Sequence, residues 1–222
     1  MAEPADSLAA DPSQSPSPRW HGTLDSITDS ERRALRPIGM SAHEAAARTG
    51  SLLATLLSIP SVRIFQGIRP DADGLLGIPP DADGSPATGP PATGLQPIAH
   101  AVTAGHRLVF VESVAWPPGR YHTAAGGRIH CDGVYIGQSV RPLIAAVCRW
   151  REKLAPGHEV SALVVVHPTS RVEPALPDAI AGDLAWSGAC DAVREVRSCL
   201  PPGRAPVSMK TLAALTQATA LW

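Results

Sequence analysis

Lysine is nearly absent from this chain: of 19 basic residues only Lys153 and Lys210 are lysines, and the rest are arginines. Net charge is missing as well, since 20 acids leave a formal charge of -1 and a pI near 6.7. Such a protein exerts no long-range pull on a polyanion. A strongly basic nucleic-acid binder is therefore excluded, and any contact with nucleic acid has to rest on a local patch. Nowhere do about 18 apolar residues run together, the length that crosses a bilayer. The opening MAEPADSLAADPSQSPSPRW has no basic segment followed by an apolar stretch. The expectation is a cytoplasmic, soluble chain with no membrane partner. Cys131, Cys148, Cys190 and Cys199 form no C-x-x-C pair, so free thiols in a reducing compartment are expected. His122, His130 and Cys131 find no fourth ligand at a zinc-binding spacing, and no structural metal is expected. Neither a G-x-S-x-G elbow nor a G-x-x-x-x-G-K-[ST] loop occurs, which removes the usual motifs for a nucleophilic serine and for a phosphate cradle.

Proline and glycine are plentiful, at 23 and 19 residues, and unevenly placed. Residues 1–37 are rich in Pro, Ser, Asp and Ala and bury too little apolar area to offset ordering entropy. They are expected to form a disordered tail, with a short helix near Ser30 to Leu35. Residues 68–95 hold a tandem repeat, GIRPDADG then GIPPDADG, followed by PATG twice. Pro and Gly this dense cannot hold a helix or strand, so the segment reads as an inserted loop. Its D-A-D-G pairs lack the further oxygen ligands and the closing Glu of a calcium loop. What remains is one α/β domain over 38–222 carrying that loop.

Within the domain Ser41 is placed to cap a helix, AHEAAARTGSLLATLLS, that ends before Pro60. SVRIFQG reads as a strand. PIAHAVTA and RLVFVESVAW read as two more in a hairpin around Ala104-Gly105-His106, and RIHCDGVYIG as a further β-rich piece. QSVRPLIAAVCRWREKL has an apolar stripe at helical spacing, with Pro142 in the first turn where a missing N–H costs little. EVSALVVVHP is a continuous apolar run, as in a strand covered on both faces. DAVREVRSCL and SMKTLAALTQATAL complete the shell as helices. The fold class is α/β, a mixed central sheet with flanking helices.

Glu44 on the first helix is followed by the strand 63–67, by Ile98-Ala99-His100 and by Val109-Phe110-Val111-Glu112-Ser113-Val114. Gln138 then heads a helix that precedes the buried strand 160–166. Over about residues 41–168 this order resembles the nuclease-related domain (NERD) family, in the restriction-endonuclease-like PD-(D/E)XK group. The resemblance implies a restriction-endonuclease-like fold and phosphodiester hydrolysis. An Asp and a Glu on adjacent strands would hold Mg²⁺, a Lys would orient the attacking water, and a helix acid would add an outer ligand. Here the Glu is present as Glu112, but the Asp position is Ala99 and the Lys position is Val114. Neither replacement ligates a metal or moves a proton.

Nothing nearby makes up the loss. Lys153 lies roughly 22 Å along a helix from a site beside Gln138, and Lys210 is in the remote C-terminal part. Arginine stays protonated, and strand alternation points His100 away from Ala99. Glu112 is either a metal ligand or a carboxylate that stabilises the fold near Gln138. Glu44 is either solvated or an outer ligand, and Gln138 either anchors its helix or meets a substrate. Trp116, Arg120, Tyr121 and His122 surround a Pro-Pro-Gly turn in a composition that suits a binding surface. Trp116 or Tyr121 would stack on a base with Arg120 or Arg128 on phosphate, or Trp116 merely caps the sheet edge.

Three functions follow. The first is a catalytically degenerate domain that binds a nucleic-acid or protein partner, with no cofactor. The second is a divergent nuclease whose Mg²⁺ sits on Glu112, helped by Glu44 and His100. The third is a purely structural module. The nuclease-like readings require Glu44, Glu112 and Gln138 to meet in one cleft. The abundance of Ala, Arg, Gly and Pro with so little Lys matches a GC-rich genome of actinobacterial type.

Overall fold

The computed structural model describes residues 19–28, 34–69, 97–154, 156–180, 183–201 and 206–219. In chain order it comprises β1 (Trp20–His21), α1 (Ala42–Leu53), β2 (Arg63–Ile68), β3 (Ile98–Ala104) and β4 (Arg107–Trp116). Then come β5 (Tyr121–Thr123), β6 (Arg128–Cys131), β7 (Val134–Ser139), α2 (Arg141–Lys153), β8 (Glu159–Pro168), β9 (Leu184–Gly188), α3 (Ala192–Cys199) and α4 (Met209–Thr219). A 3-10 turn over Ala54–Ser58 extends α1.

Six strands form one sheet in the order β1-β2-β3-β4-β8-β9, and β5-β6-β7 form a second, smaller one. The large sheet is mixed: β2, β3 and β4 are antiparallel neighbours, whereas β1–β2, β4–β8 and β8–β9 are parallel. The β4–β8 ladder runs from Arg107 opposite Glu159 to Trp116 opposite Pro168. Both strands are buried along almost their whole length, which is why they read as unbroken apolar runs instead of alternating ones.

Alternation along β4 divides the core in two. Leu108, Phe110, Val114 and Trp116 share a cluster with Leu143, Val147 and Trp150 of α2 and with Leu215 and Ala218 of α4. Val109 and Val111 share the other cluster with Leu53 of α1 and with Ala192 and Val196 of α3. Helices thus cover both faces of the sheet. The ends of α1 and α2 follow the local chemistry. Ser41 Oγ accepts the Glu44 N–H at 3.0 Å, and Pro142 occupies the first turn of α2. Arg107 donates to the Cys199 carbonyl at 3.1 Å and pairs with Glu159 at 3.0 Å, so the C-terminus of α3 is tied to the starts of β4 and β8.

The expected hairpin is present, with Gly105 at φ 58 in its turn. RIHCDGVYIG forms a second hairpin, β6–β7, turning at Asp132-Gly133 with φ 49 and 84; positive φ at both central positions gives the backbone twist that two-residue hairpins favour. The tail boundary at residue 37 needs correction. Trp20 and His21 pair with Ile64 and Phe65 at the sheet edge, and Leu24, Ile27 and Leu35 are buried. Apolar residues scattered among turn formers were enough to dock that segment. The Ser30 to Leu35 helix lies largely on residues 29–33, and the repeated loop on 70–96, outside the described residues. Ile68 belongs to β2, and the Arg69 N–H reaches the Ala218 carbonyl at 3.2 Å, so the inserted segment starts beyond them. Strand β9, LAWSG, was not expected; it extends the sheet beside β8 in parallel register.

Close approach of α1 to the sheet depends on Gly50, where a Cβ would stand 2.9 Å from His100 Nε2. His100 is fully buried on β3 and cannot retreat. Gly50→Ala should therefore destabilise by about 1–3 kcal/mol through overpacking, although alanine gains about 1 kcal/mol in intrinsic helix propensity. Urea denaturation of the two proteins measures which effect prevails.

Candidate functional site

The β3–β4 ladder ends at His100 opposite Val111, one position short of Ala99 and Glu112. Ala99 is wholly buried, in an apolar cluster with Leu24, Ile27, Ala42 and Ala46. Val114 is wholly buried too, in the cluster under α2. The places that the nuclease pattern gives to Asp and Lys are filled by dry packing.

Glu112 lies between Phe110 and Val114 on the α2 side of β4 and is 7% exposed. One carboxylate oxygen accepts the Ser113 N–H at 3.1 Å. Gln138 shares that side. It is a residue of β7 and does not head α2, which begins at Arg141. Its carbonyl oxygen accepts from Trp116 Nε1 at 3.4 Å and from the Arg36 N–H at 3.5 Å, and its amide donates to the Arg36 carbonyl at 3.0 Å. With the Ser139 N–H on the Ala34 carbonyl and the Ile38 N–H on the Ala115 carbonyl, both 2.7 Å, Gln138 holds residues 34–38 between β7 and the end of β4. Its role is that of a clamp on the chain.

Glu44 stands apart. It is exposed on α1 and pairs with Arg48 at 2.7 Å across one helical turn, on the opposite side of the sheet from Glu112. The three residues therefore do not meet in one cleft: Glu112 and Gln138 share a face, and Glu44 does not. Among the described residues no three His, Cys, Asp or Glu side chains converge as a metal site would require.

The face of the sheet under α1 carries a polar row that sequence reasoning missed. Ser113 Oγ donates to Thr49 Oγ1 at 2.8 Å, and Thr49 Oγ1 lies 2.8 Å from His167 Nε2. Gln66 Nε2 donates to His100 Nε2 at 3.3 Å. The signal was available: Ser113 and Glu112 must point oppositely, so the α1 face had to offer the hydroxyl a partner. These groups are not a nucleophilic triad, since Ser113, Thr49 and His100 are closed off from solvent. They fasten α1 to the sheet. Burial lowers the pKa of His167, aided by the charge of Arg48 and partly opposed by a hydrogen bond to the Ala45 backbone. Burial alone pushes His100 down to about 3.

Trp116 and Tyr121 are not a surface, contrary to expectation. Both are buried and stacked face to face, with ring centroids 4.1 Å apart and planes 7° apart. The Tyr121 hydroxyl donates to the Pro117 carbonyl at 3.0 Å, closing the Pro-Pro-Gly turn. This stack joins the small sheet to the end of β4. Arg120 and Arg128 are exposed. Because Tyr121 and Ile129 point inward, Arg120 and His122 of one segment and Arg128 and His130 of the next point outward. Tyr135 completes that outer side: His122 and His130 have ring centroids 5.1 Å apart, and His130 and Tyr135 5.7 Å. The D-G turn with alternating neighbours was the signal for this row.

No family model, no curated protein and no solved structure matches this chain.

The buried imidazoles make stability fall in acid. His100 has a pKa near 6.5 when unfolded and about 3 in the fold, so between those values the unfolded chain binds the extra proton. Its contribution is complete above about pH 6.5 and is lost as pH falls toward 3, with a slope of up to about 1.4 kcal/mol per pH unit; His167 acts in the same direction. Urea unfolding between neutral pH and pH ~4 should show that slope, and His100→Asn should flatten it by about one proton. A stability that is constant over this range would contradict the assignment.

Proposed function

We propose that this chain is a catalytically degenerate nuclease-related domain that serves as a binding module. The observation that carries this reading is the packing at two positions. Ala99 and Val114, where the PD-(D/E)XK pattern needs its Asp and Lys, are wholly buried among apolar side chains. A second metal ligand and a water-orienting amine are missing, and the space they would occupy is filled by Leu24, Ile27, Ala42 and Ala46 on one side and by the α2 core on the other. Glu112 alone is one carboxylate, short of what a hard divalent cation takes from a protein in such sites.

The order of elements supports the family assignment. A capped helix and three antiparallel strands are followed, after the small β5–β6–β7 sheet, by a helix and a strand parallel to the third, an order close to the one that the restriction-endonuclease-like resemblance implies. The Glu44 position does not support it, because that acid lies on the other side of the sheet from Glu112. Glu44, Glu112 and Gln138 do not converge as the resemblance requires, which counts against the family assignment and leaves it resting on the order of elements.

The test is incubation of the full chain with labelled single- and double-stranded DNA and Mg²⁺ or Mn²⁺. No metal-dependent cutting is expected; cutting that disappears in Glu112→Ala would overturn the proposal in favour of a divergent nuclease. A second measurement concerns the filled site. Ala99→Asp buries a carboxylate among apolar side chains and should cost at least about 3 kcal/mol in urea denaturation, in line with other buried unpaired polar groups. If the carboxylate is accommodated without loss, the site is wetter than its packing implies.

A further inference from the structure

We propose that the outer side of the β5–β6–β7 sheet is a platform for single-stranded nucleic acid, on which bases stack against Tyr135 and the two histidines while arginines take the phosphates. This rests on the binding-module reading and names its partner.

The argument begins with where the rings are. The protein has few aromatic residues, 4% of the chain, and most of the large rings are internal: Trp116, Trp150, Phe65 and Phe110 are among the largest fully buried side chains. Tyr135 is 49% exposed. It ends a row of three rings, His122–His130–Tyr135, whose planes are tilted by 34° and 46° to one another. The Trp116–Tyr121 pair, at 7°, uses its ring faces on itself. The tilted outer row leaves ring faces for another π-system. His130 Nδ1 lies 3.4 Å from the Gly133 carbonyl, which steadies the middle ring.

Charge supplies the second strand of the argument. From Arg120 to Arg141 the sequence has three arginines and a single acid, Asp132, within a chain whose net charge is -1. Asp132 is turned aside: its Oδ1 accepts the Arg120 backbone N–H at 3.0 Å. Arg120 and Arg128 flank the ring row on its own side, and Arg36 approaches from the clamped segment, its Nη2 within 3.8 Å of where a Cβ on Gly137 would stand. Here is the local patch that the overall charge requires of any polyanion contact.

Geometry selects a single strand. Bases in a duplex keep their faces covered by their neighbours, whereas an unpaired strand offers each face to a flat side chain. A sheet face with rings in the middle and exposed arginines beside them suits that mode. A protein partner is less well matched, because Val134, the strongly exposed large aliphatic side chain of this sheet, is paired with Cys131 on the side opposite to the rings.

Fluorescence anisotropy of the full chain with labelled oligothymidine and oligouridine of about 16 nucleotides, and with a duplex of the same length, tests this. Both unpaired strands should bind more tightly than the duplex, and the better of the two identifies DNA or RNA as the favoured source. Tyr135→Ala should weaken binding by about ten-fold, in the range for one stacked base, and Tyr135→Phe should keep it. Arg120→Gln and Arg128→Gln should each lower the salt slope by about 0.7. Circular dichroism confirms that these surface variants are folded. Absence of binding at about 50 mM salt would overturn the proposal and leave the face to a protein partner. Equal affinity for the duplex, or no effect of Tyr135→Ala, would also overturn it. Including Mn²⁺ separates the two readings: cutting that needs Glu112 would refute the non-catalytic assignment without touching the platform, and loss of binding alone refutes only the platform.

Discussion

The parallel pairing of β4 with β8 is the constraint on which the rest of the structure depends. Both strands are ten residues long and in register throughout. With both faces covered by helices, the side chains inside these strands, from Leu108 to Trp116 and from Ala162 to His167, are buried, and a polar group among them cannot simply face water. Ser113 and His167 meet Thr49 for that reason, and Gly50 is needed to let α1 come close enough to close the row. An unpartnered hydroxyl in such a place costs roughly 1–3 kcal/mol, so the position of α1 is set by hydrogen bonding as well as by apolar contact.

Glu112 is the residue that this arrangement leaves most awkward. Its neighbours on the strand are apolar, and its nearly buried carboxylate is anchored in part by the next backbone N–H. In a metal-dependent nuclease such a carboxylate would be balanced by a cation. Here the neighbouring positions on the strand, Phe110 and Val114, are apolar and wholly buried.

How far the chain could be read varied with the kind of signal. Helices α1 and α2, the β3–β4 hairpin and strand β8 were legible because period 3.6, a D/S/P-type helix start, a glycine turn and a continuous apolar run are all local. Strands β1 and β9 were not, since a two-residue edge strand and LAWSG carry no periodicity of their own; they are strands because a neighbour offers unpaired backbone groups. The grouping of Trp116 with Tyr121 was also legible, and its exposure was misjudged. Their closeness in sequence is the same whether the Pro-Pro-Gly turn lifts them outward or folds β5 back over the end of β4. Gln138 was recognised as an anchor but assigned to the wrong element, two residues short of the helix that it was thought to head.

From the sequence alone came the α/β class, the mixed sheet, the two alternating faces of each strand and the apolar character of Ala99 and Val114. Tertiary structure decided which face is covered. Periodicity says which side chains point together, but coverage depends on segments distant in the chain. Arg36 clamped by Gln138, and Ala99 closed by Leu24 and Ile27, are such cases. That is why Trp116 and Tyr121 are inside, why Glu44 and Glu112 are apart, and why the rings on the outer side of the small sheet are those of His122, His130 and Tyr135.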